Sequence, residues 1–357
     1  MRQESLEFFQ EIVNTPSPSG HEQGAAKVFR KYVEPYVDDL RTDIHGNTYA
    51  VLNPEAETRI MLAGHVDEIG FIVHYISDEG LLFFKSVGGH DSCVPVGQRV
   101  WVHGVEQIPG VIGRKPIHLL EDDGEAEKRA PKIHELWIDI GTTSKAESLR
   151  LAPLGSAVTY QDEFQLLQDG RAVARGFDNK MGAFIVAEAL RWISEKGGPQ
   201  EGVGIYGVAT VQEEIGFRGA TTASYNVHAQ VGIAVDVSHA TDFPGINKEK
   251  HGELLLGKGP SITRGAFASP VLCDLLEEIA GEERIPLQVE VAADCTGTDA
   301  TPMQVSRSGM AVGVLGVPLR YMHTPCEMLC LNDVEDAARL MAAFCLRVNG
   351  ETDFTPR

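Results

Sequence analysis

The chain has 357 residues, 43% of them hydrophobic, enough for a buried core in one large or two medium domains. Its formal net charge of −20 argues against nucleic acid and anionic membrane as partners, because both call for patches of lysine and arginine. No apolar stretch approaches the ~20 residues that span a bilayer, the N-terminus has no cleavable apolar core, and the 6 cysteines lack framework spacing, as expected of reduced thiols in a cytoplasmic protein.

From the N-terminus, residues 4–14 and 22–33 repeat apolar side chains every three or four positions and predict helices. "TRIMLAG" (58–64) predicts a short buried strand. From about 70 to 165 the character changes to short apolar runs such as "GFIVHYI", "LLFFKSV", "QRVWVHG", "ELWIDIG" and "SAVTYQ", parted by Gly, Pro and charged turns. That spacing predicts a small all-β domain, with "SKAESLR" as a short helix. Helices and strands then alternate. "NKMGAFIVAEALRWISEK", "RGATTASYN", "ASPVLCDLLEEIA", "DATPMQVSR" and "NDVEDAARLMAAFCLRVN" predict helices. "GVGIYGVATV", "QVGIAVDV", "LQVEVAA" and "MAVGVLGV" predict strands. Near-continuous apolar strands alternating with helices indicate the α/β class, with a sheet covered on both faces. The expected organisation is an α/β domain of residues 1–67 plus 166–357, interrupted by a β-rich domain at 68–165.

Ligand sites of α/β sheets form beyond the carboxyl ends of the strands. Those ends repeatedly carry a carboxylate or an imidazole: His65 and Asp67 in "IMLAGHVDE", Asp178 in "ARGFDNK", Glu213 and Glu214 in "VATVQEE", Asp236 and nearby His239 in "IAVDVSH", and His323 in "VPLRYMHTP". Converging carboxylates repel unless a cation lies among them. Imidazoles and carboxylates without cysteine suit zinc, cobalt or manganese in an open catalytic site. In an extended segment adjacent side chains point opposite ways, so one glutamate of the pair can face metal and the other substrate, as ligand and general base. Other chemistries lack their parts: the chain has no G-x-S-x-G, no P-loop frame and no H-E-x-x-H, and the glycines of "GVGIYG" (202–207) lie inside a predicted strand with no helix opening after them, unlike a dinucleotide site.

The segments "GHVDEIGF", "GFDNKMG", "QEEIGFRGA", "AVDVSHATD" and "RYMHTPCE", with "SVGGHD", "VGQRVWVHG", "GVIGRKPIHLL" and "ELWIDIGTTSKAE" in the inserted region, resemble the M42 family of dinuclear metallo-aminopeptidases from near residue 15 to about 345. The resemblance implies a mixed sheet of the zinc-peptidase type, an inserted small β-barrel-like domain that mediates dimerisation, and dimers assembling into a dodecamer. It also implies the roles. His65 and Asp236 would hold one divalent metal, Glu214 and His323 the other, and Asp178 would bridge them. Glu213 would be the general base, and Asp67 would orient His65. The metals would be zinc or cobalt, with manganese also compatible, and the substrates short peptides losing their N-terminal residue. A related deacylase and carboxypeptidase group shares this ligand logic but carries its extra domain after the bridging aspartate and the glutamate pair. Here the extra domain precedes Asp178. "GGHD" holds His90 where the family often has an aromatic, and "TGTDA" (296–300) keeps the core of a segment lining the substrate side.

Overall fold

A computed structural model of the protein describes residues 1–119 and 130–357. The last residue of "GVIGRKPIHLL" and the rest of 120–129 lie outside the described residues. In chain order the elements are α1 (Gln3–Asn14), α2 (Gln23–Val33), β1 (Asp39–Thr42), β2 (Thr48–Leu52), β3 (Thr58–His65), β4 (Gly70–Ile76), β5 (Leu82–Val87), β6 (Arg99–His103), β7 (Gln107–Gly113), β8 (Trp137–Asp139), α3 (Lys145–Leu151) and β9 (Ala157–Tyr160). They continue with β10 (Gln165–Leu166), β11 (Arg171–Ala174), α4 (Phe177–Glu195), β12 (Val203–Thr210), α5 (Arg218–Val227), β13 (Val231–His239), α6 (Lys248–His251), β14 (Ser261–Gly265), α7 (Pro270–Glu283), β15 (Gln288–Ala292), α8 (Ala300–Gln304), β16 (Ala311–Leu319), β17 (Glu327–Cys330) and α9 (Leu331–Arg347). Among the described residues no helix is long and apolar enough to cross a membrane.

The chain divides into two compact units. One comprises Met1–Asp67, Glu163–Met322 and Cys326–Arg357, the other Glu68–Asp162 with His323–Pro325. The first is built on an 8-stranded mixed sheet of order β1-β2-β12-β3-β13-β16-β14-β15. Its centre, β12-β3-β13-β16, is parallel, whereas β2 runs antiparallel to β12, and β14 antiparallel to β16. Every residue of β12 is buried, and so are the last six of β3. That is the physical meaning of their unbroken apolar runs: a central parallel strand has helices on both faces and no side turned to water. Helix α4 packs on β3, β13, α1 and α9, and is buried almost all round. Its Phe177 and Phe184 pack against Phe8 and Phe9 of α1, each such buried ring contributing about 1.5–3 kcal/mol relative to exposure.

The second unit is a closed barrel of order β4-β5-β8-β7-β6-β9, with antiparallel pairing between its strands. Alternation sorts its faces. In β6, Val100 and Val102 enter a core with Phe71, Val73, Leu82, Phe84, Ile138 and Val158, while Arg99 stays outside. Closure removes the exposed strand edges that short hairpins would leave. "SKAESLR" forms α3, whose first turn is capped by the Ser144 hydroxyl accepting from the Glu147 N–H.

Two boundaries differ from the sequence reading. Residues 163–165 pack with the α/β unit: Phe164 meets Phe9 and Phe177 edge-on, and its N–H donates to Asn14 Oδ1 at 2.8 Å. The predicted helix "DATPMQVSR" is regular only over Ala300–Gln304, and Val305 beyond it is exposed.

Candidate metal centre

The parallel register brings the strand ends together. His65, the last residue of β3, lies opposite Thr210, the last of β12. Asp236 lies in the C-terminal half of β13, the strand on the other side of β3. Asp178 stands at the start of α4, before its regular turns, with φ −76° and ψ 104°. Gly64 allows α4 this close. A Cβ at Gly64 would sit 2.4 Å from the Gly182 carbonyl carbon, so only glycine fits where β3 meets the first turns of the helix. Asn179 locks the junction from the other side, its Nδ2 donating to the Val235 carbonyl at 2.7 Å and its Oδ1 accepting from the Gly182 N–H at 2.9 Å.

His65 is the hub. Its Nδ1 lies 3.1 Å from the Asp67 backbone carbonyl, so in the neutral ring the proton belongs on Nδ1 and Nε2 is the nitrogen that could meet a cation. Nε2 faces Asp178 Oδ1 at 3.4 Å, Glu213 Oε2 at 3.7 Å and Asp236 Oδ1 at 3.9 Å. His65, Glu213 and Asp236 each offer a ligand atom within 4.8 Å of the others, and all three are buried. Asp178 and Glu214 bring carboxylate oxygens within 4.8 Å of each other. Asp178 Oδ1, at 3.4 Å from His65 Nε2, also stands beside the first group.

The remaining predicted residues fall as follows. His323 lies in the 320–326 segment between β16 and β17, on left-handed backbone with φ 60°. It groups with the barrel unit, although both chain flanks, Met322 and Cys326, belong to the α/β unit. His239 ends β13 exposed to solvent. The Asp67 carboxylate does more than face His65 Nδ1 at 3.4 Å: its Oδ1 accepts from the Glu213 N–H at 3.0 Å and its Oδ2 from the Glu214 N–H at 3.2 Å. The extended-segment reading of the glutamate pair is corrected here. β12 stops at Thr210, and Gln212 adopts a left-handed conformation with φ 56°. A turn, not strand alternation, therefore aims the two carboxylates.

The electrostatics fit a cation site. Burial pushes Glu213 up to about 9 despite His65, with the charges of Asp236, Asp299 and Asp178 adding to the shift. Burial likewise raises Glu214 and Asp236 well above the carboxylate range, and Asp178 adds to both. Burial opposes a proton on His65, but the surrounding Glu213, Asp178 and Asp67 carboxylates outweigh it. Asp299 is a further acid that pattern reading placed only on the substrate side. It is buried and raised to about 6 mainly by burial, and its Oδ2 accepts from the Thr210 hydroxyl. Its place in "GTDA" ahead of α8 was the available signal.

The M42 glutamyl aminopeptidase family matches residues 46–340 of the chain. The chain belongs to the M42 family. The lysyl aminopeptidase of Pyrococcus furiosus is 32% identical over 98% of this chain and 99% of its own. The TET aminopeptidase of a marine sediment Thaumarchaeota archaeon has the same fold with a TM-score of 0.92 and 34% identity, covering 98% of this chain and 97% of that one. The TET1 peptidase of Pyrococcus horikoshii, described as able to assemble into a tetrahedron or a large octahedral shell, matches with a TM-score of 0.84 and 30% identity over 96% of this chain and all of that chain. This M42 protein is an aminopeptidase, a hydrolase of peptide bonds. None of its 6 cysteines is in a disulfide, and among the described residues neither candidate metal group includes a cysteine.

Proposed function

We propose that the protein is a two-metal aminopeptidase that removes N-terminal residues from short peptides, with Glu213 as general base. The observation that carries this reading is the gathering of buried His65, Glu213 and Asp236, with Asp178 and Glu214 beside them, at the carboxyl ends of parallel strands. The donors fit divalent cations. They are imidazole nitrogen and carboxylate oxygen, and their crowded negative charge is what a pair of cations would offset. Zinc and cobalt suit this set best, and manganese is also accommodated.

In this reading His65 and Asp236 would hold one cation, Glu214 and His323 would hold the other, and Asp178 would be shared. His323 is anchored by α/β-unit residues on both sides of it in the chain. When bound, the cations act as Lewis acids that polarise the scissile carbonyl and lower the pKa of water toward ~7. Glu213 accepts the proton of the attacking water and passes it to the leaving amine. Its Oε2 faces the centre of the site, 3.7 Å from His65 Nε2. Asp67 steadies His65 and the two glutamate amides. An aminopeptidase acts on a free amino terminus, so a blocked one is not expected to be a substrate. We further propose a cytoplasmic homo-oligomer built from dimers joined through the barrel unit and reaching a dodecamer, by analogy with the PhTET1-12s dodecamer, a solved structure 29% identical over 98% of this chain with a TM-score of 0.85.

The test is hydrolysis by metal-stripped protein refilled separately with zinc, cobalt or manganese, assayed on a panel of aminoacyl-p-nitroanilides and their N-acetylated forms. The expected outcome is metal-dependent release from the free-amine substrates alone. Equal cleavage of the acetylated forms, or undiminished cleavage by the stripped protein, overturns the reading.

A further inference from the structure

The carboxylates of Glu213 and Glu214 are aimed by backbone that belongs to no strand or helix. Between Thr210 and Arg218 the chain turns twice through left-handed residues, Gln212 at φ 56° and Phe217 at φ 55°. A small rotation of this turn would swing both acids together. The turn is held from within by the Gly216 and Phe217 N–H groups donating to the Glu213 carbonyl, and the two glutamate amides themselves are held by one buried carboxylate, Asp67, which accepts the Glu213 N–H on Oδ1 and the Glu214 N–H on Oδ2. Asp67 in turn has a third donor. The Ser19 hydroxyl donates to Oδ2 at 2.7 Å, the shortest of the three contacts.

Ser19 comes from "TPSPSGHE" (15–22), the connection between α1 and α2, remote in sequence from every proposed ligand. The connection is itself clamped. Ser17 Oγ donates to the Val66 carbonyl at 2.7 Å, one residue before Asp67. The Gly20 N–H donates to Glu22 Oε1 at 2.6 Å, which closes the turn behind Ser19, and Gly20 holds φ 90° there, where a side chain would be strained. Glu22 lies against the same turn as the glutamates, with the Gln212 N–H directed at its carboxylate. Ser17, Ser19, Asp67 and Glu22 are all buried. Hydrogen bonds to a buried carboxylate are costly to leave unmade.

We propose that Ser19 is a positioning residue of the peptidase: through Asp67 it sets the orientation of the Glu213–Glu214 turn and hence the aim of the base and of one ligand. The proposal rests on the roles assigned above to Glu213 and Glu214. A packing role would require only that the site be filled, and alanine nearly fills it. A positioning role requires the hydroxyl, and threonine retains it.

The experiment compares Ser19→Ala, Ser19→Thr and Glu213→Gln in the full-length protein. Steady-state hydrolysis of one aminoacyl-p-nitroanilide, the thermal midpoint, and the visible d–d absorption of metal-stripped protein titrated with cobalt(II) chloride are measured for each. Expected for Ser19→Ala is a kcat lowered about 10–100-fold, the range for lost supporting hydrogen bonds, with KM within about twofold and an altered cobalt band. Ser19→Thr is expected to restore most of kcat and the parent band. A Ser19→Ala variant with parental kcat and parental band overturns the proposal, as does a Ser19→Thr variant as impaired as Ser19→Ala. Failure of the underlying reading shows elsewhere, as a Glu213→Gln protein that keeps its kcat.

Discussion

Gly64 and Gly182 touch: a Cβ added to Gly64 would fall 2.4 Å from the Gly182 carbonyl carbon and 2.6 Å from the Ala183 nitrogen. The end of the strand that presents His65 and the first turns of the helix that presents Asp178 are therefore in backbone-to-backbone contact. Substitution Gly64→Ala must push α4 away from β3. Overpacking of this kind costs about 1–3 kcal/mol. The expected outcome is a lowered thermal midpoint together with weakened metal binding, read by calorimetry and by metal analysis after dialysis. An unchanged metal content would mean that the helix position does not control the site.

The two neighbouring glutamates should separate by phenotype. Glu213→Gln removes a proton acceptor, and general-base catalysis contributes about 10²–10⁴-fold. A fall of that size in kcat is expected, with bound metal retained. Glu214→Gln removes a proposed ligand, so metal content should drop along with activity. Elemental analysis beside kinetics distinguishes them, and an exchange of the two phenotypes would exchange the two roles.

Metal removal should also be visible without substrate. Crowded buried acids repel each other once their cations are gone. Chelated and dialysed protein is expected to melt earlier and to recover on adding zinc or cobalt. Saturation at 100 times Kd would restore about 2.7 kcal/mol. Scanning calorimetry at fixed pH reads this directly, and a metal-free protein as stable as the loaded one would contradict the charge argument.

Away from the site, Glu188 and Arg191 form a buried pair at 2.9 Å, and Tyr32 and Ser5 also donate to the glutamate. Burial alone would raise the Glu188 pKa, but Arg191, Tyr32 and Ser5 bring it below the ordinary 4.5. A depressed carboxylate stabilises the fold above its unfolded pKa, and that stability is lost as pH falls through the folded value. Glu188→Gln is expected to cost about 3 kcal/mol at pH 7, the low end for a broken buried pair, since Glu195 still meets Arg191. The difference from the parent should shrink in denaturant titrations as the pH is taken below 4.5. A pH-independent difference would assign the loss to packing instead of charge.

The long apolar runs made the central sheet legible. "TRIMLAG", "GVGIYGVATV" and "QVGIAVDV" became β3, β12 and β13, and their ends carry His65, the glutamate turn and Asp236. What the pattern did not convey is what short or polar elements do. β1 and β2 form a hairpin, and β14 and β17 hold only 5 and 4 residues, so periodicity had too little length to register them. The turn at 211–214 was read as extended because a left-handed Gln212 leaves no compositional mark, unlike a glycine. Asp299 was placed only on the substrate side, and Ser19 was overlooked, for a related reason. Each acts across a gap in sequence, by hydrogen bonds to Thr210 and Asp67, and only the folded chain reveals such pairs.

The strand order β1-β2-β12-β3 has a consequence during synthesis. β2 and β3 follow each other in the chain, yet β12 lies between them and is made only after the barrel. At the ribosome's pace of about 5–20 residues per second, the slot waits roughly 7–30 s for its strand. Through that interval two apolar edges stand open on the nascent polypeptide, a template for mispairing with neighbours. Chaperone demand should therefore peak before residue 203 emerges, and no truncated product ending short of it can assemble a working peptidase.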